Sequence, residues 1–197
     1  MSTSDEEERR EYYRIEDRIA LEISVLSADE ANETRPLEDA SPLFNLLSEL
    51  HLSEFESQHL LRQLSEPDRS VAHFLKAQNK RIDLLSQVLA QTLLQHIGEP
   101  QPVTLSEGGV TFSHSKPMAP GTPLSIKMAL MPQALGLLLR ANVIHCVDSL
   151  NAAGLYEIGT EFVSPTDAQR QLLARYILQK QQLERRLARE QNDSSAT

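Results

Sequence analysis

From Val71 onward, Val71, Leu75, Gln78, Ile82, Leu85, Leu89, Thr92 and His96 advance by alternating four- and three-residue steps. That spacing is a heptad seam, with Leu75, Ile82, Leu89 and His96 at the a positions and Val71, Gln78, Leu85 and Thr92 at d. It predicts a helix over residues 71–97, about 40 Å long at roughly 1.5 Å per residue. Such a helix is longer than a small domain is wide, so part of its seam needs a second chain or the preceding helix. An antiparallel hairpin with residues 42–66 inside one chain is the alternative. The two segments together carry more apolar faces than one hairpin hides, which favours self-association. Polar Gln78 and Thr92 in the seam are the kind of residue that fixes register and oligomer number, but leucine and isoleucine at a with mixed residues at d fit two, three or four strands.

The segments around this helix have other periods. "IALEISVL", residues 19–26, alternates through Ile19, Leu21, Ile23 and Val25 and reads as a first strand. Residues 27–42 are polar and read as a linker. Ser41-Pro42 is a helix start, serine as cap and proline at the first position, followed by Leu43, Leu46, Leu47 and Leu50 on one face. Ser53 and Glu56 form a second start signal, for a helix carrying Phe55, Leu60, Leu61 and Leu64 up to Pro67. After Gly98-Glu99-Pro100 the period falls to two. Gly108-Gly109 marks a tight turn or bulge, glycine taking positive φ without penalty. "TPLSIKMALM" turns Leu124, Ile126, Met128 and Leu130 inward, and "LGLLLRANVIHCVDSL" and "GLYEIGTEFV" follow at hairpin spacing. Ser164-Pro165 starts a last helix, residues 165–190, and the tail 191–197 reads as disordered.

The expected fold is therefore α+β: a first strand over 19–26, a helical block over 41–98, the rest of a small antiparallel β-barrel of five to six strands over 99–164, and a C-terminal helix. Residues 1–18 form an acidic, arginine-rich arm ahead of it. Among 197 residues a net charge of −9 argues against non-specific attraction to DNA. A single cysteine excludes an internal disulfide framework and the common cysteine-based zinc sites. His51, His59, His73, His96, His114 and His145 show no metal-binding spacing. His145 and Cys146 are neighbours in a strand and face opposite ways, so they are not a nucleophile and its base. No segment approaches the length of a membrane span. These features point to a soluble cytoplasmic protein, not an enzyme, with no membrane insertion, cofactor or metal.

Two short motifs remain. "RREYYR", residues 9–14, places Arg9, Arg10 and Arg14 just ahead of the first strand, and "TLSEGG", residues 104–109, follows the helical block. The first matches the R-R-x-x-x-R signature of PilZ domains, and the second resembles their [Asp/Asn]-x-Ser-x-x-Gly motif. The order of strands and final helix over residues 8–190 is also similar to PilZ, and the long helices after the first strand resemble the helix-inserted, tetrameric PilZ group. The resemblance implies a bacterial six-stranded barrel that binds the second messenger cyclic di-GMP, and a homotetramer assembled through the 71–97 helix. It implies Arg9, Arg10, Arg14, Thr104, Ser106 and Gly109 as ligand-binding residues, and motility, pilus or exopolysaccharide machinery as downstream partners.

The chemistry of that ligand suits these residues. Cyclic di-GMP carries two phosphodiesters and two guanines, and a guanidinium fork fits a phosphate, a guanine edge or the face of a base. Ser106 offers a short hydroxyl and Gly109 lets a purine or a backbone amide come close. Taken singly, the arginines also fit a solvated arm with weak Glu6–Arg10 type pairs, and "SEGG" fits a plain hairpin turn. Thr104 departs from the motif: it has one hydroxyl where Asp or Asn offers a two-point contact, a loss of about 1–3 kcal/mol. The alternative function is accordingly a PilZ-like interaction scaffold that no longer binds nucleotide. Arg18 lies outside the motif and reads as a surface or pairing residue.

Overall fold

The computed structural model describes residues 13–33, 35, 37–50, 53, 61, 69–131, 135–149 and 154–195. Six strands, β1 (Ile15–Val25), β2 (Gln101–Leu105), β3 (Val110–His114), β4 (Pro123–Leu130), β5 (Leu135–Asp148) and β6 (Tyr156–Phe162), close into an antiparallel barrel in the order β1-β2-β3-β6-β5-β4. Closure depends on the length of β1. Its first half pairs with β2, from Ile15 opposite Leu105 to Ile19 opposite Gln101, and its second half with β4, from Ala20 opposite Ala129 to Val25 opposite Leu124. β1 thus begins at Ile15, four residues before the expected strand and inside what reads as the arm. The reason is pairing: "RIEDR" has no apolar alternation of its own, and β2 supplies its hydrogen bonds.

The expected inward set on β4 is correct: Leu124, Ile126, Met128 and Leu130 are fully buried beside Val103, Leu105, Phe112 and Ile158. The outward residues Lys127 and Ala129 are buried as well, because the helical block covers them. A short helix α1 (Ala28–Asn32) sits in the expected linker, held by a capping box between Ser27 and Glu30 that the sequence reading missed. Residues 42–50 form α2, and Ser41 caps it as expected, the Phe44 amide donating to its Oγ and carbonyl. Phe44 and Leu47 form a second apolar cluster with Ala20, Ile97 and Ala129 against the outside of β1 and β4. Beside it, Lys127 Nζ lies 2.9 Å from Asp39 and 3.1 Å from Glu22, and 4.9 Å from the centre of the Phe44 ring. The expected helix start at Ser53–Glu56, with Phe55, Leu60 and Leu64, lies almost wholly outside the described residues.

The heptad segment is helix α3 (Arg69–Ile97). Along it the seam residues Val71, Ile82, Leu85 and Leu89 are exposed, Leu85 to 65%, and so are Phe74, Leu84 and Val88 beside the seam, so among the described residues much of this apolar face is uncovered. The C-terminal helix α4 (Asp167–Ser195) starts two residues later than expected and runs through most of the expected disordered tail. Its start is set by Thr166 and Gln169, each side chain bonded to the other's amide, while Ser164 takes a left-handed φ of 46° to turn the chain. Leu172, Leu173, Tyr176 and Ile177 of α4 enter the barrel core. The Tyr176 hydroxyl donates to Asp17 of β1 and to the Met131 carbonyl, and Lys180 pairs with the same Asp17. No helix among the described residues is long and apolar enough to cross a membrane.

Candidate functional site

The two motifs meet where β1 and β2 pair. Ile15 lies opposite Leu105 and Glu16 opposite Thr104, so one more step along that register puts Arg14 opposite Ser106. Ser106 opens the turn into β3. Its amide donates to the Gly109 carbonyl at 2.9 Å, and the Gly109 amide donates back to Ser106 Oγ at 3.2 Å. The serine therefore shapes the turn, besides standing beside the cleft.

Gly109 is required here for a different reason from the one expected. Neither Gly108 nor Gly109 has the positive φ seen at Gly98, Gly121 and Gly154. A Cβ at 109 would instead stand 1.9 Å from the Thr160 carbonyl oxygen and 3.3 Å from Glu161 Cα. The turn lies against β6 at a distance that only a hydrogen permits, and the Phe162 amide donating to the Gly108 carbonyl at 2.8 Å holds it there.

Across the barrel wall, Thr104 of β2 faces Thr111 of β3, Thr111 faces Gly159 of β6, and Gly159 faces His145 of β5. Three inter-strand steps make this row about 14 Å wide. Small side chains leave it low, and one residue pair along lies the higher rim of Ser106, Gly109 and Glu161. Together with Arg14, Gly108, Ile144 and Thr160, all of these but Gly159 line a cleft of about 280 Å³. A β-bulge at 143–145 shapes its far side. Val143 and Cys146 face the core, so the two residues between them, Ile144 and His145, both stand on the cleft side. The His145 ring packs over Gly159, where a Cβ would meet three of its atoms within 2.6 Å. His145 and Cys146 thus do face opposite ways.

Of the expected site residues, Arg14, Thr104, Ser106 and Gly109 come together in this cleft. Arg9 and Arg10 lie outside the described residues. Arg18 points elsewhere and donates to the Pro100 carbonyl at 2.7 Å. Sequence reasoning missed Thr111, Ile144, His145, Thr160 and Glu161. "GLYEIGTEFV" has an outward Glu161 two residues after Gly159, a legible signal, but the bulge that turns Ile144 outward depends on pairing with β6. Arg14 is the only arginine or lysine lining the cleft among the described residues, and Glu161 the only carboxylate. The cleft thus offers one guanidinium fork, one carboxylate, short hydroxyls and an imidazole ring at one end.

Comparison with known proteins agrees with this fold. The solved structure of a protein from Xanthomonas campestris, described as a tetrameric PilZ domain self-assembled via an unusual helical bundle, superposes with a TM-score of 0.53. It is 16% identical and the match covers 91% of each chain. The Bacillus subtilis inhibitor of motility MotI/DgrA matches at 15% identity over 42% of this chain and 41% of its own, with a TM-score of 0.36. No curated protein matches the sequence. The PilZ domain description matches residues 76–179, which include most of α3, strands β2 to β6 and the start of α4, while β1 joins them from across the helical block. With more than half of the chain matched, this protein belongs to the PilZ domain family.

Proposed function

We propose that this protein is a cyclic di-GMP receptor that binds the dinucleotide between the arginine segment ahead of β1 and the cleft over β2, β3 and β6, and that signals as an oligomer. The observation that carries the proposal is the meeting of Arg14 with Thr104, Ser106 and Gly109 in one cleft, although 90 residues separate Arg14 from Thr104. A cleft of about 280 Å³ is at the small end of ligand sites. It takes part of a dinucleotide, and Arg9 and Arg10, within about 18 Å of Arg14 along even an extended chain, are the residues to reach the rest. Guanidinium forks on the phosphodiesters supply charge, and the His145 ring offers a face for a guanine.

Titration calorimetry tests this. Cyclic di-GMP is expected to bind at micromolar concentration, and absence of heat at tens of micromolar ligand overturns the proposal. Arg14→Ala is expected to lose binding. Arg35→Ala keeps it, since the Arg35 carbonyl, not its side chain, receives the Arg140 guanidinium.

The oligomer is a second part of the proposal. The exposed seam of α3 is an apolar face of the kind monomers rarely leave open, and the occupant that fits it is the same face of further copies, four in all by analogy with the helical bundle of the Xanthomonas protein. Replacing Ile82 and Leu85 by Asp is expected to give a monomer by light scattering. A wild-type monomer at micromolar concentration overturns this part. Should the chain assemble but bind no nucleotide, it is the interaction scaffold that Thr104 in place of Asp or Asn would favour, presenting several barrels to motility, pilus or exopolysaccharide machinery.

A further inference from the structure

Thr104 leaves its own position in the cleft without a two-point acceptor for the donor edge of guanine. The N1–H and N2–H2 groups of guanine are adjacent donors, and a carboxylate is the side chain with two acceptor oxygens at matching spacing. One carboxylate lines the cleft among the described residues: Glu161. It is on β6, two residues from Gly159 and so on the same outward face, in the rim formed with Ser106 and Gly109. The missing Cβ of Gly109 is what lets its backbone stand so near the motif turn. The side chain is exposed.

We propose that Glu161 is the specificity-determining residue of this cleft, its carboxylate accepting the N1–H and N2–H2 donors of one guanine, a role that Thr104 on β2, two strands away, does not fill. The assignment rests on the cyclic di-GMP reading above. Its physical rival is repulsion. A carboxylate beside two phosphodiesters opposes binding unless donors on the ligand face it. The base supplies such donors, and a phosphate does not. In this arrangement Arg14 takes phosphate, Glu161 reads the base, and guanine is selected over purines that lack the 2-amino group.

The test is calorimetry on the full-length wild type, Glu161→Ala, Glu161→Gln and Arg14→Ala, each with cyclic di-GMP and with its inosine analogue, which lacks the two amino groups. Wild type is expected to prefer cyclic di-GMP by about tenfold or more. Glu161→Ala is expected to weaken cyclic di-GMP by about ten- to a hundredfold and to bind the two ligands nearly alike. Glu161→Gln, which keeps the shape but turns one acceptor into a donor, also weakens cyclic di-GMP. Arg14→Ala weakens both ligands equally. Unchanged or tighter binding of cyclic di-GMP by Glu161→Ala overturns the assignment of Glu161 and leaves the receptor reading intact. A wild type that binds neither ligand overturns both.

Discussion

The two sides of the barrel wall differ in what stands outside them. Over β1, β4 and the first half of β5, the outward residues Ala20, Ala129 and Leu138 pack against Phe44, Leu47 and Ile97 of the helical block. Over β2, β3, β6 and the second half of β5 the outward residues include Thr104, Thr111 and His145, which line an open cleft, and Gly159 beneath the His145 ring. β5, 14 residues long, belongs to both sides. One barrel therefore carries a covered wall and an open wall, and the difference is in side-chain size and polarity, not in backbone topology. The covered wall also accepts a charge: Lys127 is buried there because Asp39, Glu22 and the Phe44 ring surround its ammonium. Burial opposes that charge, but the bonds to Asp39 and Glu22 outweigh it and raise the pKa of Lys127 above the ordinary lysine value.

The largest effect is expected on the covered wall. Phe44 is fully buried, and Phe44→Ala should cost about 3–5 kcal/mol in urea unfolding, with the helical block loosened from the barrel. A cost under about 1 kcal/mol would mean that the block is not part of the cooperative unit. Next comes the open wall. Gly109→Ala forces a methyl into the Thr160 carbonyl, and since backbone must move it should cost about 1–3 kcal/mol or more. Wild-type stability in this variant would show that the turn is not held against β6.

The barrel end closed by α4 is expected to be of intermediate strength and sensitive to alkali. Burial, then the hydrogen bond and charge of Asp17, holds the Tyr176 phenol far above its ordinary range. Its folded pKa is raised, so its stabilisation is complete below the unfolded tyrosine value of about 10 and declines as pH rises beyond it. Tyr176→Phe should cost about 1–2 kcal/mol at pH 8. Comparing urea midpoints at pH 8 and 11, the variant should lose less on going to pH 11 than wild type; an equal loss would show that this phenol is not the responsible group. The smallest effect on stability is expected at Gly159. An alanine there displaces only the His145 ring, a movable side chain, so the midpoint should shift by about 1 kcal/mol or less. Binding of cyclic di-GMP should nonetheless fall, since the ring would be pushed into the cleft. Unchanged binding would sharpen the distinction by removing His145 from the site.

Much of this was legible because it is local. The inward series Leu124, Ile126, Met128 and Leu130, the long heptad helix and the Ser41-Pro42 start follow from side-chain spacing and capping chemistry, which act over a few residues. The resemblance of "RREYYR" and "TLSEGG" to PilZ motifs likewise led to a six-stranded barrel and to Arg14, Thr104, Ser106 and Gly109. What stayed hidden is non-local. The start of β1 at Ile15, the bulge that turns both Ile144 and His145 to the cleft, and the burial of Lys127 each depend on a partner strand or helix distant in sequence.

Gly109 shows the division within one residue. By itself the sequence determined that a glycine stands at the end of "SEGG" and that a turn falls there, since turn chemistry is written in adjacent residues. The tertiary structure decided why it must be glycine: strand β6, 50 residues on, passes too close for a Cβ, and puts Glu161 at the rim of the cleft. Periodicity specifies which face of a strand is apolar, but packing alone decides which polar faces meet.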